Sequence, residues 1–247
     1  MRILAVDTAT SVSSVAFLEN GKLTAEASSP PAKPSGLIVS VKSNHSEAIL
    51  PLIQSVLDNA QRRFSDVDAI AVSIGPGSFT GLRIGLALVK GIAYDCNLPV
   101  VGVSSLEAQA ARVAEFSGTI CPLLDARKNE VYAALFDQQE GKLVRCSVDQ
   151  AIAVSELGNL VGAIPETARI AFVGNGAERY REQVLDVLHG RAQIINEACG
   201  CSAAGGVALV ALERLAVAPG TPLGQLVPLY FGASQALGNT RKFFLTR

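Results

Sequence analysis

Apolar residues run unbroken from Ile3 to Val6 and close on Asp7, and a second apolar-rich run, Ser13 to Leu18, follows a Thr/Ser-rich turn. Glu19-Asn20-Gly21 separates that run from a third beginning at Lys22, and Asn-Gly between two such runs predicts a two-residue hairpin. The chain therefore opens as a three-stranded meander. After a Pro-rich stretch, Ile49, Leu52, Ile53, Val56, Leu57 and Ala60 recur at helical spacing, predicting an amphipathic helix over Glu47–Ala60 with a bend at Pro51. Ala69 to Ile74 is a continuous apolar run rich in β-branched residues, as expected of a buried strand. It ends at Gly75-Pro76-Gly77, where a helix capped by Ser78 begins and runs until Pro99 stops it. Val100–Val103 supplies another strand, and Ser104-Ser-Leu-Glu107 has the spacing of a capping box opening a third helix.

The same order restarts near Thr119. Cys121–Asp125 reads as a strand, Glu130–Phe136 as its partner, and Gln138–Gly141 as a turn. Asp7 precedes Phe17-Leu-Glu-Asn-Gly-Lys-Leu23 just as Asp125 precedes Phe136-Asp-Gln-Gln-Glu-Gly-Lys-Leu143, so the chain carries an internal duplication. A short helix from Ser155, a strand Arg169–Val173, a helix after Gly174-Asn-Gly176, a strand Ala192–Ile195 and a helix Ala203–Val217 complete the second half. Each half reads β-β-β-α-β-α-β-α. This predicts an α/β protein of two similar lobes, residues 1–117 and 118–247, each a mixed sheet flanked by helices. In a cleft between such lobes, Asp7, Thr8 and Thr10 face Asp125 and Arg127. Hydroxyls and backbone N–H groups there can hold a phosphate, and a carboxylate can hold magnesium through water. A retained structural turn explains the Thr residues equally well. Gly174 and Gly176 are either a ligand-receiving turn or simply a tight one.

Charge narrows the functional classes. Lys+Arg total 21 against 22 for Asp+Glu, so no bulk field attracts nucleic acid to the chain alone. Residues 2–8 lack the longer apolar region of a secretory signal, and no stretch reaches the roughly 18 apolar residues of a membrane span, which predicts a cytoplasmic protein. Five cysteines without a C-x-x-C pair, and only His45 and His189 as imidazoles, predict reduced thiols and no metal site.

Gly77, Gly81 and Gly85 recur every fourth residue, so Gly81 and Gly85 stack on one helix face and admit another backbone closely. Interior glycines cost about 1 kcal/mol each relative to alanine, which argues that the close contact is needed. Spacing leaves open whether that contact is internal, against the Glu47–Ala60 helix, or with another molecule. Phosphate capture at Gly75–Gly77 ranks lower, because Pro76 removes one N–H donor.

Ile3-Leu-Ala-Val-Asp-Thr-Ala-Thr10, Asn44-His-Ser-Glu47, Gly75-Pro-Gly-Ser-Phe-Thr-Gly-Leu-Arg-Ile-Gly85, Gly102-Val-Ser-Ser105 and Asp125-Ala-Arg-Lys-Asn-Glu-Val-Tyr132 together resemble the TsaB family, also called YeaZ. The resemblance runs through about residue 137 and more weakly to the end. It implies the duplicated actin, Hsp70 and sugar-kinase (ASKHA) type of fold and an accessory, non-catalytic role in threonylcarbamoyl (t6A) modification of the adenosine 3′ of the anticodon. The implied partners are a catalytic paralogue, TsaD, and an ATPase, TsaE, with tRNA met only through the complex. No cofactor of its own is implied, and the complex interface is the place for ATP or ADP. In this family the two first-lobe helices meet the catalytic paralogue or a second copy, making Ile49, Leu50, Ile53, Leu57, Gly81, Leu82, Gly85, Leu86 and Val89 the docking candidates. The catalytic paralogue holds its metal through H-x-x-x-H, whereas here His45 is followed four residues later by Ile49.

Two stretches depart from the family pattern. Residues 28–43 are a longer, Pro-rich path into Asn44-His-Ser, and Pro228-Leu-Tyr230-Phe-Gly232 replaces a Pro-x-Tyr-Leu-Arg string. The rival reading is an enzyme, either a phosphotransferase working through Asp7 and Asp125 or a metal-dependent glycopeptidase. Two isolated histidines do not furnish a peptidase constellation.

Overall fold

Strand β1 (Arg2–Asp7) pairs antiparallel with β2 (Ser14–Glu19) along its whole length, Arg2 opposite Glu19 and Asp7 opposite Ser14. In the computed structural model, which describes residues 1–29, 45–113, 115–188, 190–196 and 202–231, Asn20 and Gly21 take φ of 52° and 83°. These are the positive values a two-residue hairpin turn needs before β3 (Lys22–Ser28). Strands β4 (Ala69–Gly75) and β5 (Val100–Ser104) add in parallel, giving the order β3-β2-β1-β4-β5.

Both faces of this first sheet are covered, as the alternation along β1 requires. Leu4 and Val6 point to α1 (His45–Asn59) and α2 (Phe79–Cys96), where they pack with Phe17, Ile53, Val56, Leu86 and Val89. Ile3 and Ala5 point to the opposite face, where they meet α3 (Ser105–Ala111) through Ala108 and the helix Ala203–Leu215 through Val207 and Ala211. The predicted caps form: Ser78 Oγ accepts from Gly81 N at 3.2 Å, and Ser104 Oγ accepts from Glu107 N at 3.4 Å.

The second sheet departs from a simple repeat. Strand β6 (Thr119–Arg127) has two successive antiparallel partners, β7 (Glu130–Ala133) and β8 (Phe136–Gln139), where the sequence predicted one strand over Glu130–Phe136. The break falls at Ala134–Leu135. There the N–H groups of Cys146 and Ser147 both donate to the Leu135 carbonyl, and Leu135 N donates to Ser147 Oγ. Beyond the break β8 pairs with β9 (Lys142–Arg145), while β7 pairs with an unpredicted strand, β10 (Gln150–Ala153). After a 3-10 turn and α4 (Leu157–Val161), β11 (Ile170–Val173) joins β6 in parallel. Helices α5 (Asn175–Arg179) and α6 (Arg181–Leu188) lead to β12 (Ala192–Ile195), which completes the order β10-β7-β6-β11-β12.

Helix α7 (Ala203–Leu215) closes the second half in sequence but packs on the first sheet. Its small residues allow that approach: a β-carbon on Gly206 would run into the Ala108 carbonyl of α3. Helix α3 is thus shared. Ala108 and Ala111 face α7, whereas Leu106, Ala110 and Val113 pack on Ile120, Leu124, Phe136 and Val173 of the second sheet.

Candidate docking surface and interlobe residues

The loop after β1 is closed upon the chain itself. Asp7 and Thr8 are buried. Asp7 Oδ1 accepts from Ala9 N at 3.2 Å, Thr8 N donates to Ser73 Oγ at 3.4 Å, and Thr8 Oγ1 donates to the Gly81 carbonyl at 2.8 Å. Thr10 Oγ1 accepts from Val12 N at 3.2 Å. Hydroxyls and amides of the kind that would hold a phosphate are therefore engaged inside the first lobe.

The corresponding carboxylate of the second lobe, Asp125, is held by α5. Its amide donates to Asn175 Oδ1 at 3.0 Å, and its Oδ1 accepts from Arg127 N at 2.9 Å and from Tyr180 Oη at 3.3 Å. Arg179 Nη1 lies 3.5 Å from Oδ2. Arg127, Lys128 and Asn129 all take positive φ and are exposed. Gly174 (φ 102°) and Gly176 seat α5 on β6, since a β-carbon on Gly176 would stand 2.9 Å from the Leu123 carbonyl oxygen. Of the two carboxylates expected to face one another, Asp125 is thus tied to α5 and Asp7 to the turn after its own strand.

The glycine repeat of α2 also turns inward, which corrects its assignment as a docking face. A β-carbon on Gly77 would strike the Ala9 carbonyl, one on Gly81 the Thr8 carbonyl, and one on Gly85 the Thr8 hydroxyl. The repeat lets α2 sit on the loop after β1; its partner is neither α1 nor a second molecule. Leu82, Leu86 and Val89, with Ile49, Ile53 and Leu57 of α1, are buried as well. The reason is geometric: the strongest apolar stripe on an amphipathic helix is the one facing its own core. Of the nine docking candidates only Leu50, 55% exposed, looks outward.

The outward face of α2 has its own pattern. Thr80, Ile84, Ala87, Gly91 and Tyr94 fall at spacings of three and four, with Leu88 beside them. Thr80, Ala87, Gly91 and Tyr94 are exposed, Ile84 and Leu88 half-buried, and Tyr94 reaches 83% exposure. Among the described residues, nothing outside the helix lies within 4 Å of where a Gly91 β-carbon would be. Gly91 therefore forgoes about 1 kcal/mol of helix propensity with no contact among the described residues to require it. It stands about 240° around the helix from Gly85, off the register of the inner repeat, so the sequence held the signal in a position the repeat obscured.

At the start of α2, the Arg83 guanidinium lies 3.7 Å from the Phe79 ring centroid and donates through Nε to Tyr230 Oη at 2.8 Å. The Phe79 and Tyr230 rings are 4.9 Å apart. Leu229 N donates to the Ile74 carbonyl at 2.7 Å, and Tyr132 Oη of the second lobe donates to the Phe231 carbonyl at 3.4 Å. The segment that departs from the Pro-x-Tyr-Leu-Arg pattern thus runs from α2 to the second lobe.

His45 opens α1 with Nδ1 2.6 Å from the buried Ser13 Oγ, and burial holds its imidazole below its ordinary pKa. Ile49, four residues on, is 1% exposed and belongs to the core. Among the described residues no group of three or more His, Cys, Asp or Glu side chains is placed to hold a metal ion. No described helix is long and apolar enough to cross a membrane. His189, Cys199, Cys201 and residues 30–44, which include most of the Pro-rich stretch, lie outside the described residues.

The family model for TsaD, tRNA N6-adenosine threonylcarbamoyltransferase, matches residues 37–231. The tRNA threonylcarbamoyladenosine biosynthesis protein TsaB of Bacillus subtilis (strain 168) is 33% identical over 189 residues, which is 76% of this chain and 77% of that protein. TsaB of Escherichia coli (strain K12) is 34% identical over 159 residues, 64% of each chain. Among solved structures, YeaZ from Pseudomonas aeruginosa superposes with a TM-score of 0.73 at 26% identity, covering 93% of this chain and 99% of that one. The (R)-2-hydroxyglutaryl-CoA dehydratase component A of Acidaminococcus fermentans superposes at 0.52 with 12% identity over 87% of this chain and 99% of that one, a likeness of fold alone. The fold is the ASKHA type, with two mixed sheets.

Proposed function

We propose what this chain does from one premise: it belongs to the TsaB (YeaZ) family of tRNA threonylcarbamoyladenosine biosynthesis proteins, within the wider family whose model is tRNA N6-adenosine threonylcarbamoyltransferase. It serves in the cytoplasm as the non-catalytic subunit that docks on the catalytic paralogue, TsaD, during t6A modification of tRNA. A TsaE-like ATPase joins that assembly, and tRNA is met only through it. The absent second histidine supports the non-catalytic reading, because Ile49 fills that place as a core residue.

One observation carries the docking assignment. Gly91 is an exposed, mid-helix glycine with open space where a side chain would go, flanked by Ile84, Ala87, Leu88 and Tyr94. Small residues on an outward apolar face let a second helix approach closely, and an exposed apolar strip of this kind marks an interaction site. Leu50 adds an exposed apolar side chain on α1. A second copy of the chain occupies the same face when the paralogue is absent. The chain has no cofactor of its own, and ATP or ADP binds where the two subunits meet; the internal engagement of Asp7, Thr8 and Thr10 supports this reading.

Size-exclusion chromatography of the chain mixed with the catalytic paralogue of the same organism tests the assignment. Gly91→Leu and Ala87→Glu abolish the complex while circular dichroism stays native, because both positions are exposed. Undiminished assembly by both folded variants overturns the docking face. Calorimetry with Mg-ATP is expected to show no turnover by the chain alone, and turnover would favour the phosphotransferase reading.

A further inference from the structure

A chain of charged groups crosses from one lobe to the other. Arg145, the last residue of β9 in the second sheet, pairs with Asp149 and sends Nη2 to Glu107 Oε2 of α3 at 3.3 Å. The same Glu107 oxygen accepts from Arg214 Nη2 of α7 at 2.6 Å, and Arg214 Nη1 donates to the Gly102 carbonyl of β5 at 2.6 Å. Asp149 closes the circuit from the other side, its Oδ2 accepting from Ser104 Oγ at the end of β5 at 2.7 Å. The Arg145 guanidinium also lies 4.5 Å from the Phe136 ring centroid. Five side chains from β5, α3, α7, β9 and the segment before β10 are thereby tied together, with Asp149 8% exposed and Glu107 20%.

The lobes are also joined by apolar contact, through Leu106 and Ala110 of α3 and Val113 just after it against the second sheet. Apolar burial is non-directional, so by itself it permits the sheets to slide on α3. Charge-assisted hydrogen bonds from a planar guanidinium are directional and hold one geometry. A partly buried ion network of this kind adds little net stability after desolvation, and a role in fixing geometry is its best-attested use. We propose that the Arg145–Glu107–Arg214–Asp149–Ser104 network is an interlobe lock that holds the second sheet at one angle to the first, so that the two lobes move as one body. The lock acts independently of what α2 docks against.

The test is a distance measurement between spin labels on the folded full chain, at Ser55→Cys on α1 and Gln183→Cys on α6, with Cys96, Cys146, Cys199 and Cys201 replaced by serine. The locked protein gives one narrow interlobe distance, unchanged by Mg-ATP. Arg145→Met loses that single peak and gives a broad distribution, whereas Arg62→Met, which cuts an ion pair to Glu19 inside the first lobe, leaves it narrow. If Arg145→Met does not fold, Arg145→Lys, which keeps the charge but lacks the planar fork that reaches both Asp149 and Glu107, must broaden the peak instead. A broad distribution with Arg145 in place at low salt overturns the lock. So does a peak that stays narrow in every folded variant at Arg145.

Discussion

Replacing glycine by alanine at two places on α2 should change stability in opposite directions. At either site the substitution restores up to about 1 kcal/mol of helix propensity. At Gly91 no described residue outside the helix lies within 4 Å of the new methyl, so the gain stands alone. At Gly81 the methyl falls on the Thr8 carbonyl and within 3.2 Å of Ser78 Cβ. Forcing an extra methyl into a packed contact costs about 1–3 kcal/mol, and shifting the loop also weakens the bond from Thr8 Oγ1 to the Gly81 carbonyl, worth about 1 kcal/mol. The balance is a loss of about 1–3 kcal/mol for Gly81→Ala against a gain of up to about 1 kcal/mol for Gly91→Ala. For a chain of this size, each kcal/mol moves the melting temperature by about 2–4 °C. Urea unfolding with unchanged slope, checked by calorimetry, reads both values. A Gly81→Ala protein as stable as the parent would refute an inward-facing glycine repeat, and a destabilised Gly91→Ala would refute the open outward site.

Three further outcomes follow from the same contacts. Leu226→Ala removes a buried side chain that packs against Gly102 in the first-lobe core, and should cost about 2–4 kcal/mol by urea denaturation. The His45 imidazole is held below its unfolded value of 6.5 by burial, so the unfolded chain binds more protons as pH falls. Stability should therefore decline below about pH 6.5, and His45→Gln should flatten that part of a pH series of urea melts. Tyr230→Phe removes the Arg83 bond but keeps the Phe79 ring contact, so its cost should stay within about 1.5 kcal/mol.

Periodicity carried most of the architecture, because β1 to β5, α1, α2 and α7 each bury a face that the apolar pattern marks. It did not reach β10 or the break at Ala134–Leu135, where the ladder changes partners because Cys146 and Ser147, more than ten residues on, claim the Leu135 carbonyl. Nor does an apolar pattern say which sheet a helix covers, which is why α7 was expected to close the second lobe. Eight of the nine docking candidates are buried for a related reason. Leu82, Leu86 and Val89 are the strongest stripe on α2, and the strongest stripe is the core. The proposed partner face carries instead a modest apolar strip plus a glycine with no neighbour among the described residues, which spacing alone does not reveal. The engagement of Thr8 with α2 was likewise hidden, since a threonine beside an aspartate reads alike in a phosphate loop and in a packed turn.

If the outward face of α2 joins this chain to the t6A machinery, blocking that face removes the modification from tRNA. The most direct measurement is the t6A content of tRNA, read by nucleoside mass spectrometry, in cells depleted of this protein and supplied with either the parent chain or Gly91→Leu at equal, folded levels. The parent should restore t6A and Gly91→Leu should not. Equal restoration by both would contradict the docking face, and failure of the parent chain would contradict the function itself.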